Sequence, residues 1–401
     1  MENTLKQRYR TMKIELANRL NDINEYYFSK KLDQIREMKN NGVEVINLGI
    51  GSPEMPPSED VINTLISSAR NPDHHAYQPY RSIKELRAAM CNFYQNIYGV
   101  ELDPDQQILP LMGSKEGILY TTLIFLNPGD KVLVPDPGYP IYPSVARMMG
   151  AKVIKYDLMA KNLWRPDLSQ LETMDLSGVK LMWMNYPHMP TGAVLDDSSY
   201  IDLIKFTERN NIILCNDNPY SLVLSKKPKS LLQFKRNSNH VIELNSLSKA
   251  YNMACWRVGM AVSSSEIISS MIKVKSNVDS GMFLPIQHAA VTALNLPDQW
   301  HLVRNNKYLE RREIVIEILK LLNCPVEDEQ EGIFLWAKIP GSFPDAMEFT
   351  DRLLNEHHLF ITPGSIFGKN GAGYIRISLC ASVKNLKKAL ARIESKMEIE
   401  V

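Results

Sequence analysis

The chain is expected to be an α/β protein, with one large domain built on a mostly parallel sheet covered by helices and a smaller α+β domain beside it. Three observations carry that expectation. Between residues 107 and 262, short apolar runs alternate with helical patterns, as in sheets built through crossover helices. Most of those runs are apolar along their whole length, which is how strands covered on both faces read. Finally, 401 residues exceed what a single hydrophobic core usually holds.

In chain order, residues 1–45 are polar and helix-prone. NEYYFSKKLDQIREMKNNG reads as a first helix closed by Gly42, preceded by an arm and lying outside the main core, as part of the small domain. Residues 46–288 make the large domain. Its candidate strands are ILPLM (108–112), KVLVP (131–135), KLMWM (180–184), NIILC (211–215), VIEL (241–244) and VGMAV (258–262). The first five hand over directly to GSKEG, DPGYP, NYPHMPTG, NDNPY and NSLSK. Ligands of open α/β sheets bind at the carboxyl ends of the strands, so these segments are expected to converge on one site. From about residue 290 a charged helix, VRNNKYLERREIVIEILKLL, opens the small domain at 289–401.

Forty-six Lys and Arg against 45 Asp and Glu leave a net charge of +1, so no global field favours nucleic acid or an anionic membrane. Five cysteines without a CxxC pair fit reduced thiols better than a disulfide framework or a zinc site, and no metal is expected. MENTLKQRYRTMKIEL lacks the apolar core of a secretory signal, and no apolar run is long enough to span a bilayer. The cytoplasm is the expected compartment.

The handover segments carry the chemistry. Gly113, Ser114 and Lys115 precede an apolar helix whose first N–H groups would face an anion, most naturally a phosphate, although a serine there also serves as an ordinary N-cap. Arg257 and Ser246 would add a bidentate guanidinium and a hydroxyl. Asp217, closing an apolar strand, is either a turn aspartate or the anionic partner of a protonated ring nitrogen. Asn185 and Tyr220 occupy equivalent strand ends and would donate to one phenolic oxygen, and Tyr139 offers a flat face for a ring. With the amine of Lys249, the set describes a pyridoxal 5′-phosphate (PLP) site.

SLSKAYNMACWRVG then resembles the lysine motif of the class I/II aminotransferases of PLP fold type I, most nearly the LL-diaminopimelate and aspartate aminotransferase-like branch. INLGIGSPEMPP, HAYQPYRSIKELRAAM, LMGSKEGI, VPDPGYPIY, CNDNPYS, SNVDSGMF and GYIRISLC extend the resemblance over nearly the whole chain. It implies a homodimer with shared active sites. Lys249 would form the Schiff base, Asp217 would pair with the ring nitrogen, and Tyr220 and Asn185 would hold the 3′-oxygen. Tyr77 would reach the phosphate from the neighbouring subunit, and Arg376 would clamp the substrate α-carboxylate beside Gly51 and Asn185. Alternation in YIRISLC agrees for Arg376, setting it opposite Ile375, Ile377 and Leu379.

The implied reaction is ping-pong transfer of the α-amino group of an aspartate-like or related L-amino acid to a 2-oxo acid. A PLP-dependent lyase on the same fold is the alternative. Departures from the family pattern are Ser82 and Cys255, each where glycine is usual, and His188 and Met189 in place of two asparagines. Cys255 is expected to be a small packed thiol.

Overall fold

The computed structural model describes residues 14–21, 27–235, 239–327 and 329–397. The expected arm at the N-terminus lies mostly outside them. The first strand, β1 (Ile46–Asn47), belongs to a small two-stranded sheet. The seven strands of the main sheet follow: β2 (Ile108–Leu111), β3 (Lys131–Asp136), β4 (Lys152–Asp157), β5 (Val179–Met184), β6 (Ile213–Asp217), β7 (Val241–Ser246) and β8 (Gly259–Val262). Their order is β2-β8-β7-β6-β5-β3-β4, and only β8 runs antiparallel to its neighbours.

Side chains alternate between two cores, as a strand period of two requires. Leu109, Val132, Val134, Leu181 and Trp183 face one apolar cluster, whereas Ile108, Leu133, Met182 and Met184 face the other. Both faces are therefore dry, which is why most of these strands read as unbroken apolar runs.

Three details differ from the sequence reading. β4 was not expected. KVIKYD carries lysines at 152 and 155 because it is the edge strand, with much of its length facing water. NIILC begins two residues early, since the strand is Ile213–Asp217 and Asp217 is its last residue. VGMAV returns antiparallel because only a four-residue helix, Leu247–Ala250, and one 3₁₀ turn separate it from β7, too little for a full crossover. That reversal puts the start of β8 at the same sheet edge as the ends of the others, with Gly259 opposite both Ser246 and Leu111.

A helix spans Tyr27–Asn40, and Gly42 turns the chain at φ +82°. Contrary to expectation it is not outside the core, because Phe28 and Ile35 are buried in the larger apolar cluster. β1 pairs in parallel with β10 (Leu359–Phe360). A second small sheet has the order β11-β12-β9, from β9 (Phe334–Lys338), β11 (Thr362–Pro363) and β12 (Tyr374–Ser378). The helix Asp298–Leu321 precedes it. No helix among the described residues is long and apolar enough to cross a membrane.

Candidate active site

One cavity of about 280 Å³ opens where the carboxyl ends of the main sheet meet β9 and β12. Ser114, Lys115, Tyr139, Asn185, Asp217, Tyr220, Ser246, Lys249 and Arg257 line it from the main sheet, and Gly51 and Arg376 from the opposite side. Gly113 does not line the cavity but shapes it. At φ +83° it sits against Arg257, and a Cβ there would lie 2.0 Å from Nη2. Tyr77 is 90% exposed and lies away from this cavity.

At one end, the helix Ser114–Phe125 begins with its free N–H groups at the cavity wall. Ser246 Oγ accepts from Ser248 N at 3.2 Å and donates to Ser248 Oγ at 2.9 Å. Arg257 Nη1 reaches Ser248 Oγ at 3.3 Å and the Ala254 carbonyl at 2.9 Å. An arginine, two hydroxyls and a helix N-terminus so arranged make an anion site.

Asp217 is buried and lines the cavity. Tyr142 donates to its Oδ2 at 3.0 Å, while Oδ1 is buried without a hydrogen-bond partner among the described residues. Burial pushes the carboxyl up to about 7, against the downward pull of the Tyr142 and Ser114 hydroxyls. A buried carboxylate with an unused oxygen lacks a cation. Lys249 donates to the Gly51 carbonyl, and burial pulls its amine below the usual lysine range, with Arg376 and Arg257 adding to the effect. Burial holds the Tyr220 phenol well above its ordinary range, so it stays a donor.

Asn185 is more committed than expected. Its Oδ1 accepts from Met189 N at 2.8 Å and its Nδ2 donates to the Asp217 carbonyl, which leaves one amide N–H for a ligand. At the other end Arg376, 5% exposed, donates from Nη2 to the Gly49 carbonyl at 2.8 Å and from Nη1 to Met189 Sδ at 3.2 Å.

Several participants escaped the sequence reading. Tyr142 follows Tyr139 by one helical turn and stacks on Trp183 with centroids 4.9 Å apart. The PGYPIY repeat of tyrosines was the available signal. Ser248 lines the cavity as well as bracketing Lys249. Phe28, Ile50, Met189 and Phe334 also line it, and nothing local in their sequence marks them. His188 is buried away from the cavity beside Thr191, and burial pushes its imidazole down to about 3, so it is neutral. Cys255 is exposed, not packed, because it sits on the outer side of the turn Ala254–Trp256. Glu54 pairs with Arg311 at 2.6 Å, and neither it nor Met55 lines the cavity.

The residues present fit PLP. The anion site suits its phosphate, the buried Asp217 Oδ1 awaits a cationic ring nitrogen, and Lys249 is a low-pKa amine within the same cavity.

Comparison with known proteins agrees with this chemistry. The family model for aminotransferase class I and II matches residues 43–393. The LL-diaminopimelate aminotransferase of Halothermothrix orenii is 37% identical over 95% of this chain and 98% of its own length. That of Aquifex aeolicus is 37% identical over 95% and 99%. Among solved structures, apo-BacF from Bacillus subtilis superposes with a TM-score of 0.91 at 34% identity, covering 96% of this chain and 98% of its own.

Proposed function

The chain belongs to the class I and II aminotransferases and depends on PLP, and on that premise we propose a ping-pong exchange in which Lys249 is the working amine. The bound cofactor supplies an aldehyde that condenses with amines and a ring that draws electrons away from the substrate Cα. Lys249, its amine favoured in the neutral form by burial, is the side chain that would hold that aldehyde. Once displaced by the substrate amine, it serves as the base that removes the Cα proton and the acid that returns it. Asp217, through its unpartnered Oδ1, would pair with the ring nitrogen and keep it protonated. Tyr220 and the remaining amide N–H of Asn185 donate to the 3′-oxygen, and Tyr139 supports the ring face. Gly113, Ser114, Lys115, Ser246 and Arg257 hold the phosphate, so that the reacting carbon is delivered to Lys249 in one orientation. Arg376 takes the substrate α-carboxylate beside Gly51.

What carries the reading is that Lys249, Asp217 and Arg376, from three distant parts of the chain, line one cavity. The relatives named for LL-diaminopimelate, and the aspartate-like donor expected from sequence, set the first two donors to test. Each is to be assayed with a 2-oxo acid acceptor, beside a panel of other L-amino acids. Lys249→Ala should still bind PLP weakly while losing turnover with every donor. Normal turnover in that variant would refute the mechanism.

We also propose that the working unit is a homodimer. The 90% exposure of Tyr77, in a segment that the family would turn toward its neighbour, supports this. The division into residues 1–45, 46–288 and 289–401 is kept as the working description of the domains.

A further inference from the structure

The helix that carries Lys249, Leu247–Ala250, is four residues long. One turn is too short to hold its own geometry, and its last carbonyls find no partner within the helix. Ser246 closes its start, where the side chain accepts from Ser248 N. Its end is closed from elsewhere: Arg304, in the helix Asp298–Leu321, donates from Nη1 to the carbonyl of Ala250, the residue after Lys249. The other arm of the same guanidinium, Nη2, donates to the carbonyl of Leu222, two residues past Tyr220. Resting on the transamination above, we propose that Arg304 is a positioning residue, which fixes the Lys249 amine against the Tyr220 hydroxyl so that both meet one cofactor ring in register.

Arg304 is 3% exposed and does not line the cavity, so it acts through the two backbone segments and not by touching a ligand. Among the described residues no carboxylate pairs with it, and burial pulls the guanidinium down to about 10. A buried cation without an anion is costly. What the guanidinium supplies is a planar fork of donors in fixed geometry, which a lysine ammonium does not reproduce.

Its neighbours hold the fork in place. His301 Nδ1 accepts from Nη1 at 3.0 Å, and burial pushes that imidazole down to about 3, which keeps it a neutral acceptor. Asn305 Oδ1 accepts from Nη2 at 3.0 Å, while Asn305 Nδ2 donates to the same Leu222 carbonyl at 3.3 Å. Trp300 stacks on Tyr251, the residue after Ala250, with centroids 6.1 Å apart, and lies 5.5 Å from Arg304 Cζ. On the other side, Val223 N donates to the Tyr220 carbonyl at 2.8 Å, so a shift at Leu222 is carried to Tyr220.

The test compares wild type with Arg304→Lys, which keeps the charge but not the fork, Arg304→Met, which removes both, and Asn305→Ala, which removes one brace. Each is loaded with PLP and read by the pH midpoint of the bound cofactor's absorbance change, and by kcat per bound cofactor and KM for one L-amino acid that wild type accepts. In both Arg304 variants the midpoint should move by at least half a pH unit and kcat should fall at least tenfold, with KM changed less than threefold. Asn305→Ala should move the midpoint and kcat the same way and by less. A merely structural role would lower melting temperature and the amount of loaded enzyme, leaving midpoint and kcat per bound cofactor unchanged. That result in Arg304→Lys and Asn305→Ala overturns the proposal, also where Arg304→Met fails to fold. Wild type that yields no 2-oxo acid from any donor would instead refute transamination, and the absorbance midpoint would still decide on Arg304.

Discussion

Asp217 shows how one residue's environment encodes its partner. Its folded-state pKa is raised to about 7 from 3.8, so its contribution to stability is fully present below the unfolded value and is lost as pH rises through about 7. Cofactor-free wild type should therefore lose melting temperature relative to Asp217→Asn between about pH 4 and pH 8. Bound PLP, by supplying a cation, should flatten that difference. Parallel profiles without cofactor would show that the carboxyl is not desolvated. In the holoenzyme, Asp217→Asn should slow turnover by about two orders of magnitude, near 3 kcal/mol, as for loss of one charge-matched contact. Gly113→Ala should weaken PLP binding at least tenfold, because a Cβ 2.0 Å from Arg257 Nη2 must displace the guanidinium. Much of this site was legible in sequence because strand-end residues keep their local context: Asp217, Lys249 and Ser114 sit in segments whose chemistry is written next to them. Phe28, Phe334 and Tyr142 were not, since their roles arise from elements brought together only by folding.

The short return from β7 to β8 does at the level of elements what no single residue does. It reverses one strand, so that Arg257, preceding β8, and Ser246, ending β7, share an edge with the helix start at Ser114. Gly259 is the tight point of that junction, since a Cβ there would stand 2.6 Å from Ser114 N. Gly259→Ala should consequently weaken phosphate binding as well as stability, measured by PLP titration and melting. Unchanged PLP affinity would separate the junction from the anion site. Ser82 is a second element-scale feature. It occupies the position where the family usually has glycine, and it adopts φ +63°, the conformation that glycine takes without strain. Ser82→Gly should accordingly stabilise the protein by about 1 kcal/mol, seen as a raised denaturation midpoint. The sheet's apolar centre was readable by composition, whereas edge strand β4 was hidden because an edge tolerates lysines that a central strand does not.

Across the whole molecule, the helix Tyr27–Asn40 and the residues just after it tie the early part of the chain to its C-terminal part. Lys31 pairs with Asp351 at 2.6 Å, and Glu44 pairs with Lys388 and Arg392, while Phe28 reaches the cavity. That arrangement was out of reach from sequence, where the helix reads only as a polar appendage. Tyr77, Tyr80, Val278 and Phe283 are exposed on two touching segments, with Gly281 packed against Gln78. This exposed apolar surface fits an interface between copies, and sedimentation should report a particle of twice 45.8 kDa. Transfer of an amino group onto the protein's own cofactor through Lys249 underlies the whole proposed reaction. Its most direct measurement is a single half-reaction, with PLP-loaded enzyme and one L-amino acid but no added oxo acid. The expected result is one equivalent of 2-oxo acid per active site and conversion of bound cofactor to its amine form, without free ammonia, and neither product in Lys249→Ala. Continued formation of oxo acid with release of ammonia and unchanged cofactor would contradict it.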